Sequence, residues 1–130
     1  MSHVLIIEDD PNTLSGLQDL LQQEGYRVNG VTRGQQAIQA ILAKSIDIVI
    51  CDYHLPDING LQLCRQMRHL QPQLKLLLVT AHSNHEITTA AHECRITKTF
   101  SKPLDIEALL EKLATLSSWL NYSPEPVARA

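Results

Sequence analysis

The stretch Ile46-Asp47-Ile48-Val49-Ile50-Cys51-Asp52 constrains the fold more than any other part of the chain. It is a β-branched apolar run without regular polar alternation, and it stops on a carboxylate. A strand apolar on both faces is buried on both, the usual state of a central strand in a parallel sheet. A charge without a partner is costly to bury, so Asp52 is expected just past the buried part, at the strand's C-terminal end. Pro56 prevents further pairing, and Asn59 with Gln62 three residues on reads as a helix N-cap. In open α/β sheets the C-terminal strand ends form the ligand crevice, which puts this acid where such folds do their chemistry.

The remaining elements fall into an alternating series. Val4–Ile7 is a short buried strand leading into Glu8-Asp9-Asp10. Asp10-Pro11 opens a helix in which Leu14, Leu17 and Leu21 recur at helical spacing, and Gly25 closes it. Tyr26 to Val31 is a weaker strand. Thr32-Arg33-Gly34-Gln35 reads as a capping-box start, followed by an inner face of Ala37, Ile38, Ile41 and Leu42. After Gly60 comes a helix carrying Leu61, Leu63, Cys64, Met67 and Leu70, with Pro72 marking its end. Leu74 to Val79 is a fourth strand ending at Thr80. Ser83-Asn84-His85-Glu86 reads as a second capping box for a helix to about Cys94. Lys98 to Ser101 is a fifth strand, and Lys102-Pro103 follows. Asp105 opens a last helix with Ile106, Leu109, Leu110, Leu113, Leu116 and Leu120 inward.

Strands alternating with helices predict a doubly wound α/β fold: a parallel sheet, right-handed crossovers and helices on both faces. The chain of 130 residues suits one domain. Residues 1–120 are expected to form it, with 121–130 a flexible tail or the start of a linker, since Pro124 and Pro126 break any periodicity there. A net charge of −3 gives no general case for nucleic-acid or membrane binding. No apolar run approaches the about 18 residues a membrane span requires, and no signal-peptide pattern precedes Val4. Cys51, Cys64 and Cys94 are too scattered for a metal site and read as reduced, buried thiols in a cytoplasmic protein.

On a parallel sheet, several strand ends carry polar groups to one rim: Glu8-Asp9-Asp10, Asp52, Thr80 and Lys102. Each has a plain structural reading as a helix cap, a turn residue or a solvated lysine. Their convergence on one edge points instead to phosphoryl transfer. Clustered carboxylates suit Mg²⁺, which takes one or two of them plus waters and phosphate oxygens. Asp52 is then a metal ligand, a base, or a nucleophile that forms an acyl phosphate. A hydroxyl at Thr80 and an ammonium at Lys102 would hold the phosphoryl oxygens. There is no G-x-x-x-x-G-K-[ST] loop for nucleotide hydrolysis of that kind.

At these residues the chain resembles a receiver domain of a two-component response regulator, of the chemotaxis-regulator-like type. The landmarks are Leu5-Ile6-Ile7-Glu8-Asp9-Asp10-Pro11, Asp52-Tyr53-His54-Leu55-Pro56-Asp57-Ile58-Asn59-Gly60, Leu78-Val79-Thr80-Ala81 and Phe100-Ser101-Lys102-Pro103, within a match running from about Val4 to Leu120. The resemblance implies a flavodoxin-like, five-stranded sheet in the order 2-1-3-4-5 with five helices. It implies that Asp52 accepts a phosphoryl group from a sensor histidine kinase or phosphotransfer protein. It further implies that Glu8, Asp9, Asp52 and the backbone carbonyl of His54 hold Mg²⁺. Thr80 would hydrogen-bond the phosphoryl group and shift on its arrival, and Lys102 would pair with it. A downstream output domain or protein, and a phosphorylation-driven homodimer, are the implied partners. No independent substrate turnover is expected.

Some positions depart from the family pattern. Thr99 stands where an aromatic switch residue is usual, three places before the lysine. Phe100 should point the other way, into the core. The small pair expected before the fifth strand is Arg95-Ile96, and the missing glycine predicts a different helix end. His54 and His82, each two residues past a site residue, are candidate modulators of acyl-phosphate lifetime. Two other functions fit parts of the pattern. A Mg²⁺-dependent phosphatase of similar fold would place its nucleophile where Glu8 stands. An interaction module that had lost phosphorylation would not need the full set of Glu8, Asp9, Asp52, Thr80 and Lys102.

Overall fold

A computed structural model describes residues 2–81 and 84–121. Five strands and five helices alternate: β1 (His3–Ile7), α1 (Pro11–Gln23), β2 (Arg27–Val31), α2 (Gly34–Ala43), β3 (Ile48–Asp52), α3 (Gly60–Leu70), β4 (Lys75–Thr80), α4 (His85–Glu93), β5 (Lys98–Ser101) and α5 (Ile106–Asn121). All pairings are parallel, and the strand order is β2-β1-β3-β4-β5. This is the doubly wound architecture expected from the strand and helix pattern. His82 and residues 122–130 lie outside the described residues, as does the side chain of Leu120.

Strand alternation divides the core into two layers. Leu5, Ile7, Val49, Cys51, Leu76 and Leu78 face α2, α3 and α4. Val4, Ile6, Ile48, Ile50, Leu77, Val79 and Phe100 face α1 and α5. Burial on both faces explains why β1, β3 and β4 lack alternation in the sequence. Phe100 is buried as expected, and its neighbour Thr99 is half-buried.

Two residues expected inward, Leu42 and Ile106, are exposed, and so is Leu70 of α3. Each lies at or near a helix end, where the apolar stripe runs past the edge of the sheet it covers. The capping expectations for α2 and α4 also need correction. At α2 the N-cap is Arg33, which makes no side-chain cap bond, and it is Gln36 that reaches back to the Thr32 amide at 3.0 Å. At α4 the cap is Asn84, whose side chain accepts from the Ile87 amide at 2.9 Å.

The end of α4 is not altered by the missing glycine. Ile96 N donates to Ala91 O at 2.9 Å and Arg95 N to His92 O at 3.0 Å, the paired bonds of a helix closed by a left-handed residue. Arg95 adopts that conformation itself, with φ 57°. Arg68 braces this end from α3, donating to the carbonyls of Cys94, Arg95, Pro72 and Leu74 at 2.7–3.3 Å.

Candidate functional site

Sheet register builds the site in steps. Ile7 pairs with Cys51, so the next residues, Glu8 and Asp52, stand side by side at one level. Asp52 pairs with Val79, which sets Thr80 one residue higher, and Thr80 pairs with Ser101, which sets Lys102 one higher again. The rim predicted from the sequence therefore exists, staggered from β1 to β5. Alternation turns Glu8, Asp52 and Lys102 toward the α1 and α5 layer, continuing the series Ile6, Ile50 and Phe100. Thr80 continues the opposite series, after Leu78, and is fully buried.

The geometry is that of an acidic crevice with one cation in it. Glu8, Asp9 and Asp52 each offer a carboxylate oxygen, and these oxygens lie within 4.8 Å of one another. Lys102 Nζ is 3.1 Å from Asp52 Oδ2, and the amide of His54 donates to Asp52 Oδ1 at 3.3 Å. Asp52 is 5% exposed and Glu8 7%. Burial, and then the neighbouring Asp52 carboxylate, pushes Glu8 from 4.5 up to about 7, although Lys102 pulls it down. Asp10 plays no part in the cluster. It caps α1, accepting from Thr13 N at 3.0 Å and Thr13 Oγ1 at 2.6 Å, and those bonds hold its carboxyl below the usual carboxylate range. Beside the acids, a cavity of about 190 Å³ opens between Thr13 and Leu17 of α1 and the Lys102–Leu104 segment.

These residues fit a divalent cation. Oε2 of Glu8 is buried and finds no hydrogen-bond partner among the described residues. An acid in that state is either protonated or waiting for a cation. Hard carboxylate oxygens converging on one point suit a hard cation such as Mg²⁺.

The loop from β3 to α3 holds its shape around Asp52. Gly60 N donates to Tyr53 O at 2.7 Å, and His54 bridges Asn59. Asn59 caps α3 through the Gln62 amide at 2.9 Å, as the sequence indicated. The His54 side chain is exposed and its ring stands edge-on to Tyr53 at 5.0 Å. Sequence reasoning did not anticipate the role of Asp57, whose carboxylate leaves this loop to accept the amides of Gly34 and Gln35 at 2.9 and 3.0 Å. The available signal was an α2 start with no acidic residue in its first turn.

Comparisons with known proteins agree with this geometry. Residues 4–114 match the family model of the response regulator receiver domain. The response regulator ArlR of Staphylococcus aureus strain Mu50 is 33% identical over 116 residues, which is 89% of this chain and 52% of the relative. The transcriptional regulatory protein ZraR of Klebsiella oxytoca is 28% identical over 124 residues, 95% of this chain and 28% of the relative. The chain thus spans about half of one relative and less than a third of the other. Among solved structures, a CheY-like receiver domain protein from Methanospirillum hungatei JF-1 superposes with a TM-score of 0.86 at 25% identity, covering 91% of this chain and 95% of that one. The response regulator TrrA of Thermotoga maritima, determined in complex with Mg²⁺-BeF, superposes with a TM-score of 0.80 at 28% identity, covering 89% of this chain and 99% of its own. The match runs from the first strand into the last helix and takes in every strand end that builds the acidic crevice, and on that basis the chain belongs to the response regulator receiver domain family.

Proposed function

We propose that Asp52 is the phosphoacceptor of this receiver domain. A carboxylate oxygen of Asp52 attacks phosphorus, the bond from phosphorus to the donor's leaving group breaks, and an acyl phosphate forms. The donor is a phosphohistidine on a sensor histidine kinase or phosphotransfer protein, which leaves as imidazole. Glu8, Asp9, Asp52 and the His54 carbonyl would hold Mg²⁺, and charge neutralisation at the phosphoryl oxygens is the chemistry a bound Mg²⁺ contributes there. Lys102 pairs with the phosphoryl group, and the Thr80 hydroxyl donates to it. The observation that carries this reading is the convergence of Glu8, Asp9 and Asp52 within 4.8 Å with Lys102 Nζ on the same acid.

The domain works as a switch without turnover of a separate substrate. It spans residues 1–120, acts in the cytoplasm, and passes its state to an output domain or protein, with homodimerisation as one route. Among the described residues no helix is long and apolar enough to cross a membrane. Thr99 alters the relay. It sits on β5 beside Leu78, on the layer that Thr80 continues, without an aromatic ring to rotate. The surface of α4, β5 and α5 therefore responds weakly to phosphorylation or by another route, and His54 and His82 tune the lifetime of the acyl phosphate. Large amide shifts throughout that surface on phosphorylation would contradict the weak relay.

The deciding experiment is intact-mass measurement after incubation with Mg²⁺ and acetyl phosphate, beside Asp52→Asn. One phosphoryl adduct that needs Mg²⁺ and vanishes in the variant supports the proposal. A Mg²⁺-binding chain that never forms an adduct overturns it.

A further inference from the structure

The loop that carries His54 past Asp52 is anchored at its tip to a helix remote in sequence. Asp57 Oδ1 accepts the Gly34 amide at 2.9 Å and Oδ2 accepts the Gln35 amide at 3.0 Å. Both are first-turn amides of α2, which have no partner within their own helix. Arg33, the N-cap residue, provides no side-chain bond, and the first turn holds no acidic residue. Asp57 therefore caps α2 from another element and sets its charge against the positive end of the helix. Those two amides hold its carboxyl below the usual carboxylate range. Next to it Ile58 packs so closely on Gly34 that a Cβ there would lie 2.4 Å from Ile58 Cγ2. Between this anchor and Asp52 the loop is held as well by the His54 amide on Asp52 Oδ1, by the Gly60 amide on Tyr53 O and by the bridge between His54 and Asn59.

We propose that Asp57 is the positioning residue of the phosphoacceptor loop: by capping α2 it holds the His54 backbone against Asp52, so that the loop and the start of α2 respond as one unit to whatever binds at Asp52. A plain helix cap would need only one end of this arrangement. Here the cap comes from the loop that borders the acidic crevice, so its two bonds tie that loop to the start of α2. The inference rests on the reading of Asp52 as the phosphoacceptor site.

The test uses the full chain and Mg²⁺ alone, followed by amide NMR shifts of His54, Gly34 and Gln35, with urea denaturation alongside. In the unmodified chain the three amides are expected to titrate together. Asp57→Ala is expected to raise the Mg²⁺ dissociation constant about fivefold to tenfold, toward the loss seen when a group that orients metal ligands is removed. The Arg33→Asp, Asp57→Ala double variant separates positioning from stability, because it gives α2 a cap on its own chain segment. It is expected to recover denaturation resistance while the Mg²⁺ constant stays high. If the constant returns to its original value together with stability, Asp57 is a helix cap only and the proposal falls. It also falls if Asp57→Ala stays folded and binds Mg²⁺ unchanged, or if Gly34 and Gln35 ignore Mg²⁺ while His54 responds. Acetyl phosphate labelling is scored separately. Coupled titration without an adduct would remove the phosphoacceptor reading and leave the positioning role standing, whereas a chain that binds no Mg²⁺ would remove both.

Discussion

Lys102 Nζ lies 3.1 Å from Oδ2 of Asp52, and it reaches that acid from the strand two places away in the sheet. With Lys102→Met, Asp52 and Glu8 would face each other with no cation between them. Acetyl phosphate labelling is expected to slow about a hundredfold, a typical loss when one donor aimed at developing negative charge is removed. The Glu8 midpoint should also rise, because Lys102 is what lowers it. Mass time courses and side-chain carboxyl NMR measure the two effects. An unchanged labelling rate would place Lys102 outside the chemistry.

Glu8 makes stability depend on pH in an unusual direction. Its folded-state value of about 7 lies above the ordinary 4.5, so the folded chain keeps this proton longer than the unfolded one. The stabilisation is full below the unfolded value and is lost as pH rises through the folded value, at most about 3 kcal/mol in all. Asp10 and Asp57 are shifted downward, so their contributions change only in more acidic solution. Without Mg²⁺, urea denaturation should show a chain more stable at about pH 5 than at about pH 8, and Glu8→Gln should flatten that difference. Equal pH dependence in both chains would contradict the assignment.

Helices α1 and α4 end on the same hydrogen-bond pattern with different residues in the left-handed position. Gly25 has φ +94° and Arg95 has φ 57°. A left-handed non-glycine residue costs about 1–2 kcal/mol, and glycine returns part of that through its freer unfolded chain. The Arg95 charge also opposes that of the half-buried Arg68 guanidinium, whose own value is lowered by desolvation and then by Arg95. Arg95→Gly is therefore expected to stabilise the fold by about 0.5–1 kcal/mol in urea denaturation. A loss of stability would mean that the arginine side chain contributes more than its backbone costs.

The parts legible in the sequence were those set by one-dimensional pattern. Unalternating runs at Val4–Ile7 and Leu74–Val79 announced buried strands, and the polar residue after each run fixed the rim. The caps at Asp10 and Asn59 were legible because a cap and its amide lie three residues apart. Asp57 was not, since its partners lie 23 and 22 residues earlier in the chain. The same holds for Arg68, whose bonds to Cys94 and Arg95 span 26 and 27 residues. Leu42 and Ile106 were misread because helical periodicity gives a face but not where the neighbouring layer stops.

Gly60 and Gly16 separate a glycine that the site requires from one that it does not. A Cβ on Gly60 would lie 2.5 Å from the Asp52 carbonyl oxygen and 2.7 Å from Tyr53 Cα. Both are backbone atoms, so no flexible side chain can yield, and the Gly60 amide is already bonded to Tyr53 O at 2.7 Å. Gly60→Ala must open the loop that sets His54 against Asp52. It is expected to destabilise the fold by about 1–3 kcal/mol, the usual cost of overpacking. Labelling by acetyl phosphate should fall even under conditions where the variant is fully folded. Gly16 lies inside α1, and its Cβ would meet nothing within 4 Å. Gly16→Ala should therefore stabilise by about 0.5–1 kcal/mol through helix propensity, with labelling unchanged. Urea denaturation and mass-based labelling on both variants test the contrast. A folded Gly60→Ala chain that labels at the original rate would show that the close loop-to-strand approach is not needed for the chemistry at Asp52.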